Sequence, residues 1–298
     1  MHHTLPSTAC YLNGAYTPLC DAKVSVMDRG FVFGDGIYEV APVYAGRPFR
    51  FTQHMARLER SLQEMRIANP LTRDQWLAIT LQLVAHGAAA ADAAVADLDQ
   101  IVYIQITRGV AMRDHVMPDN MVPTVFAMAS PMRGPDRQQR EHGVACMTAD
   151  DFRWKKAHIK STSLLGSVFA RQISHDAGAL ETVMFRDVFL SEAAASNVWV
   201  VKDGVVLGVP RNNLVLEGIR YGLIEEICQA EGIPFALRKI SKDEVQQADE
   251  LLLSSATKEV LAITTLDGVP VGHSSHSGRP GPVAARLYAA YQQAKRAA

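Results

Sequence analysis

Apolar and polar positions alternate with two different periods along the first part of the chain. Strand-like runs occur at "KVSVMD" (23–28), "GIYEVAPVYAG" (36–46), "DQIVYIQITRG" (99–109) and "VPTVFAMAS" (122–130). Between them the period lengthens. In "TQHMARLERSLQEMRI" (52–67), Met55, Leu58, Leu62 and Met65 fall on one helical face, and "TRDQWLAITLQLVAHG" (72–87) opens on a Thr-x-x-Gln cap, Thr72 with Gln75. The alanine-rich "GAAAADAAVADLD" after it reads as a helix end and loop.

Pro, Gly and charge concentrate in "SPMRGPDRQQREHG" (130–143), which predicts an interdomain linker over 131–142. Strand runs then resume at "GVACMTAD", "ETVMFRD" and "NVWVVKDGVVLGV". A helix near 218–231, a strand at "IPFALRKI" and a Ser241/Glu244 cap follow, then "ELLLSSATKEVLAITTLDGVPVG" and a closing amphipathic helix. Strands cluster instead of alternating strictly with helices, so the expected class is α+β. The expected organisation is a smaller N-terminal α/β domain (1–130), the linker, and a larger β-rich C-terminal domain (143–298).

Composition narrows the field. The 298 residues are 48% apolar and 20% charged, enough for real cores, and a length prior suggests about two domains. Thirty Lys and Arg nearly balance 31 Asp and Glu, so no overall field points to nucleic acid or a membrane surface. Small molecules are the expected partners. Cys10, Cys20, Cys146 and Cys228 are scattered without a C-x-x-C pair, and the N-terminal stretch has no apolar core of signal length, which predicts reduced thiols and a cytoplasmic protein.

One cation breaks this picture. "AHIKSTSLLGSVFARQ" (157–172) carries Lys160 at the front of a small and apolar run, and no further charge follows until Arg171. It reads either as a lysine snorkelling at a helix start or as an amine in a partly desolvated pocket, able to form a Schiff base with a carbonyl. Other polar residues interrupt apolar segments in the same manner: Tyr38 and Glu39 in "FGDGIYEV", Arg57 in "HMARLERS", Arg113 and His115 in "TRGVAMRDHVMP", Arg153 in "DFRWKKAHIKS", and Glu192 and Asn197 in "LSEAAASNVWV".

In this order the set resembles the fold-type IV pyridoxal-phosphate enzymes, the group of branched-chain and D-amino-acid aminotransferases and aminodeoxychorismate lyase. The segments "DRGFVFGDGIYEV", "IKSTSLLG" and "SEAAASNV" carry the resemblance, which runs from about residue 10 to near the C-terminus. It implies pyridoxal 5'-phosphate as cofactor at the domain interface. It makes Lys160 the Schiff-base lysine and proton carrier, and Glu192, otherwise a solvated turn acid, the partner of the pyridinium nitrogen. Arg57, otherwise one face of a solvated helix, would grip the phosphate, joined by the N–H groups of Gly218, Ile219 and Arg220 at a helix start. The chain departs from the family where Thr is usual at Arg220, and again at Ala256, where Ser255 or Thr257 stands beside the lost hydroxyl.

Within the family, Tyr38 with an Arg-x-His pair, Arg113 and His115, matches the carboxylate site of the D-amino-acid aminotransferases, on a loop lent by the neighbouring subunit of a homodimer. The implied activity is ping-pong transfer of an amino group from a D-alanine-like substrate to 2-oxoglutarate or another 2-oxo acid. Leu216 and the 254–258 loop would line the side-chain pocket, and Glu39 and Arg153 would form a network behind Tyr38. A branched-chain L-amino-acid aminotransferase, an (R)-amine transaminase, a lyase and a non-catalytic cofactor-binding subunit remain alternatives on the same fold. His273 and His276 in "GHSSHSG" make a poor metal shell without a carboxylate or thiol nearby.

Overall fold

The computed structural model describes residues 5–273 and 277–297. Contacts divide the chain into two compact units, one built from the chain up to Arg133 with Ile159–Leu164, the other from Gly134–His158 and Leu165–Ala297.

In the first unit, β1 (Ala9–Leu12) and β2 (Ala15–Pro18) form a hairpin closed by Asn13 and Gly14, the Asn-Gly pair that suits a two-residue turn. The run at 23–28 is not a strand as expected. It is largely exposed, and its last residue, Asp28, instead caps α1 (Arg29–Phe33) by accepting from Gly30 N at 2.8 Å. Next come β3 (Gly36–Tyr44), β4 (Arg47–Pro48), α2 (Phe51–Glu64), α3 (Arg73–Ala90), β5 (Gln100–Thr107) and β6 (Thr124–Pro131). The Thr72/Gln75 capping box forms as its spacing predicts. All pairings in this sheet are antiparallel, in the order β2-β1-β6-β5-β3-β4.

Helices α2 and α3 bury Met55, Leu58, Leu62, Trp76 and Leu83 against Ile37, Val102, Ile104 and Ile106. Each such side chain contributes roughly 1.5–3 kcal/mol of transfer free energy. Pleating then sorts β3: Ile37, Glu39 and Ala41 point to this buried side, and Tyr38 and Val40 to the other. A carboxylate is thereby placed inside an apolar core, and it requires partners there.

The second unit contains α4 (Arg137–His142), β7 (Val144–Asp150), α5 (Leu165–Asp176), β8 (Glu181–Arg186), β9 (Phe189–Ala193), β10 (Asn197–Lys202), β11 (Val205–Gly208), α6 (Ile219–Ala230), β12 (Phe235–Leu237), α7 (Lys242–Gln246), β13 (Glu250–Ser255), β14 (Glu259–Leu266), β15 (Val269–Pro270) and α8 (Pro282–Ala297). The sheet order is β12-β11-β10-β13-β14-β7-β8-β9, with β15 on β14. Its pairings mix parallel and antiparallel, and near-continuous apolar strands such as "NVWVV" and "ELLL" are buried along their length. The class is mixed α+β, in agreement with the sequence.

The main division between the units, after Arg133, falls within the segment 131–142, which ends in a capped helix, α4, whose capping box pairs Asp136 with Gln139. Lys160, expected in the C-terminal domain, groups with the first unit because its segment is laced to β3: Tyr38 N donates to Lys160 O, Thr162 N to Gly36 O, and Ser161 bridges Ile37. Among the described residues, no helix is long and apolar enough to cross a membrane. His276 lies outside the described residues; His273 is exposed, its ring Nε2 3.3 Å from Gln247 O.

Candidate active site

Lys160 is not on a helix start. Helix α5 begins only at Leu165, and Lys160 sits on an extended segment beside β3. Its backbone is fixed by the bond from Tyr38 N at 2.9 Å, and its Nζ lies 4.0 Å from the centroid of the Tyr38 ring, a cation–π contact. Tyr38 in turn stacks on Tyr103 at 5.9 Å, and burial, with Tyr38 beside it, pushes the Tyr103 phenol up to about 12. The hydroxyls of Thr162 and Ser163 donate to Gly34 O at 2.9 and 3.0 Å. Gly34 is left-handed (φ 66°), and a Cβ there would stand 2.8 Å from Ser163 Oγ, so the close approach of the two segments requires glycine.

Behind Tyr38, on the core side of β3, Glu39 is fully buried. Arg57 grips it with Nε to Oε2 at 3.0 Å and Nη2 to Oε1 at 2.5 Å, and His54 Nδ1 lies 2.9 Å from Oε1. The Arg57 fork therefore faces Glu39. Burial pushes the Glu39 carboxyl up, but Arg57 and His54 outweigh it and hold the group well below the usual carboxylate range. His54 was not singled out by sequence, although its place three residues before Arg57 puts both on one helical face.

A folded-state pKa below the unfolded value means that the unfolded chain takes up this proton first as pH falls. The stabilisation from Glu39 is present above the ordinary value near 4.5 and is lost as pH drops below it. Glu39→Gln is expected to be less stable than the wild type at pH 7, with the difference narrowing toward pH 3.5, as read from urea midpoints. A difference that stays constant over this range would show that Glu39 is not held ionised by its partners.

In the second unit Glu192, on β9, is buried and not a solvated turn acid. Arg153 Nη1 donates to its Oε1, Asn197 Nδ2 to Oε2 at 3.2 Å, and Leu216 N to both oxygens at 3.2 and 3.3 Å. Burial raises the Glu192 carboxyl above its usual range, although Arg153 and the Leu216 N–H pull the other way. Arg153 also holds Asp151 through Nε and Nη2, both at 2.9 Å, and Arg186 reaches the same carboxylate at 3.1 Å. Glu39 and Arg153, expected in one network, thus stand in separate ion-pair clusters.

Gly218 is the N-cap of α6, and no side chain caps that helix start. A Cβ at 218 would fall 2.1 Å from Asn197 Oδ1, so glycine is what lets Asn197 reach both Glu192 and the Leu216 carbonyl. Arg220 is buried; its Nη2 donates to Tyr291 Oη at 3.0 Å and to Ala256 O at 3.4 Å, which joins the first turn of α6 to the 256–258 turn. Within that turn Ser255 Oγ accepts from Lys258 N at 3.0 Å, and Ala256 and Thr257 are half-buried. The turn ends on Glu259, whose buried carboxylate accepts from Arg140, Gln292 and Lys295.

Arg113 and His115 are exposed and meet on one aromatic ring: the Arg113 guanidinium carbon lies 5.4 Å from the Phe33 centroid, and the His115 ring is also 5.4 Å away.

Residues 36–266 match the family model described as amino-transferase class IV. The chain is 34% identical over 284 residues to a D-alanine aminotransferase of Bacillus licheniformis, covering 94% of each chain. It is 35% identical over 288 residues to a D-alanine aminotransferase of Staphylococcus aureus (strain COL), covering 95% of this chain and 96% of the relative. Among solved structures, the T.th. branched-chain amino acid aminotransferase complexed with N-(5'-phosphopyridoxyl)-L-glutamate superposes with a TM-score of 0.85 at 21% identity, over 98% of this chain and 95% of that one. The branched-chain enzyme of Escherichia coli gives 0.81 at 22%, over 96% and 93%.

Proposed function

This chain belongs to the class IV aminotransferase family, and from that premise we propose that it moves the amino group of a small D-amino acid, D-alanine or one like it, to 2-oxoglutarate or another 2-oxo acid. The observation that carries the site assignment is Lys160: an amine fixed by its backbone to β3 and set on the Tyr38 ring. Pyridoxal 5'-phosphate, when bound, delocalises the electron pair left on the substrate α-carbon once its proton is removed.

The donor set suits such a group. Glu192 is a carboxylate whose charge burial disfavours, so a cationic ring N–H would be a favourable partner for it, and Arg153, Asn197 and the Leu216 N–H fix its direction. The uncapped N–H groups of Ile219 and Arg220 at the start of α6, with the hydroxyls beside Ala256, suit a phosphate dianion, whereas the Arg57 fork is committed to Glu39. Lys160 would hold the cofactor at rest; released, its amine would take the proton from the substrate α-carbon and deliver it to the cofactor carbon that keeps the amino group. Tyr38, Arg113 and His115 take the α-carboxylate, with the Arg113–His115 loop serving the partner subunit of a homodimer, and Leu216 lines the side-chain pocket.

Fixing the carboxylate on one side decides which enantiomer turns its α-hydrogen toward Lys160. We therefore expect faster turnover of D-alanine than of L-alanine or L-leucine with 2-oxoglutarate, by a preparation that sediments as at least a dimer. Arg113→Met should raise the KM for D-alanine by roughly tenfold to a hundredfold, the worth of a charge-assisted bond to a carboxylate. Faster turnover of L-leucine than of any D-amino acid would move the chain to a branched-chain reading. Activity on (R)-amines alone would remove the carboxylate role.

A further inference from the structure

We propose that Arg29 is a positioning residue for substrate recognition: it fixes the loop from which Arg113 and His115 project, and Phe33 is the platform on which the two are set. The inference rests on reading those two residues as the carboxylate trap, and it adds what holds the trap in place.

Arg113 and His115 are exposed, on a stretch between β5 and β6 whose own strand-like pairing is the isolated bridge of Val110 to Asp28. Side chains on such a loop lose affinity to the entropy of ordering unless something orders them beforehand. Arg29 is suited to that task because it is itself immobile. It is 3% exposed, and its Nε donates to Asp35 Oδ2 at 2.7 Å. Asp35 is held in turn by Arg108 through Nε at 2.8 Å and Nη2 at 3.0 Å, and Arg108 is tied to the carbonyls of Met65 and Arg66. The Arg29 backbone N–H donates to Gly109 O at 2.9 Å.

From this fixed base, Arg29 Nη1 donates to Asp114 O at 2.6 Å. That carbonyl belongs to the peptide between Asp114 and His115, so the bond sets where both trap side chains leave the backbone. The Arg29 guanidinium carbon also lies 4.8 Å from the Phe33 centroid, on the ring that Arg113 and His115 share. A purely structural arginine would need only Asp35. The bond to Asp114 O and the shared ring are what connect it to recognition.

The test is steady-state kinetics of the holoenzyme with D-alanine and 2-oxoglutarate. Arg29→Met should fold, because Asp35 keeps both bonds from Arg108. It should raise the KM for D-alanine about tenfold with kcat changed by less than about twofold, the signature of lost binding common to ground and transition states. The absorption spectrum of the bound cofactor should not change. Combined with Arg113→Met, it should add little to the KM increase of Arg113→Met alone, since the two act as one unit. Phe33→Leu, which leaves the Asp35 cluster intact, should raise KM in the same direction and carries the test if Arg29→Met proves unstable.

Full additivity of the Arg29 and Arg113 effects, or a fall in kcat with KM unchanged, would overturn the positioning role alone. An Arg113→Met protein with unaltered KM would overturn the carboxylate reading, and the positioning role with it.

Discussion

Lys160→Ala is expected to lose turnover on the order of 10^4-fold or more while remaining folded, because in the proposed function one amine serves both as covalent anchor and as proton carrier. The two halves of this expectation have separate physical grounds. The fold keeps the residue through its backbone, since the bond from Tyr38 N to the residue 160 carbonyl does not depend on the side chain. What the side chain gives the fold is chiefly a contact with the Tyr38 ring, worth about 0.5–1 kcal/mol at a partly exposed site. Near-wild-type unfolding midpoints with absent activity would fit. Borohydride reduction of the wild type should fix the cofactor at Lys160, and peptide mapping that finds it on Lys155, Lys156 or Lys258 would reject the assignment.

Arg153→Met is expected to be the most damaging substitution for stability. The Arg153 side chain is about one-tenth exposed and serves Asp151 and Glu192, whose own side chains are 0% and 6% exposed. Removing it strands buried carboxylates, a loss of roughly 3–5 kcal/mol when one partner of a buried pair is deleted. Arg186 still reaches Asp151, whereas Glu192 loses the guanidinium that favours its charge and should hold a proton more readily. The variant should therefore also bind pyridoxal phosphate more weakly, as a neutral carboxyl attracts a ring N–H less. Urea unfolding and cofactor titration check the two effects, and a stability loss below about 1 kcal/mol would mean that the cluster is not energetically closed around Arg153.

What could be read from the sequence, and what could not, divides by range. The period of α2, the Thr72/Gln75 cap and the alternation of β3 are local, set by neighbours a few residues away, and each survives in the structure. The "KVSVMD" run failed as a strand because alternation says nothing of whether an edge is available to pair. The Asn-Gly turn of the first hairpin was equally local and went unread. Glu39, Arg57, Arg153 and Glu192 were legible as polar intruders in apolar segments, but their partnerships were not. Arg153 meets Glu192 across 39 positions, and Asp35 meets Arg108 across 73. Such pairings depend on strand order and on which face a residue occupies. The commitment of Arg57 to Glu39 follows only once β3 is known to turn Glu39 inward.

The grip on Glu192 by the Leu216 N–H has a consequence for how such a protein can change over generations. The main chain of residue 216 does one job and its side chain is left for another. Any amino acid other than proline supplies that N–H, so exchanging leucine for a smaller, larger or polar residue leaves the buried carboxylate its donor. Lineages can then try new side chains at this point, one substitution at a time, without first dismantling the anchor. A position built this way lets its side chain drift while the buried carboxylate keeps its donor.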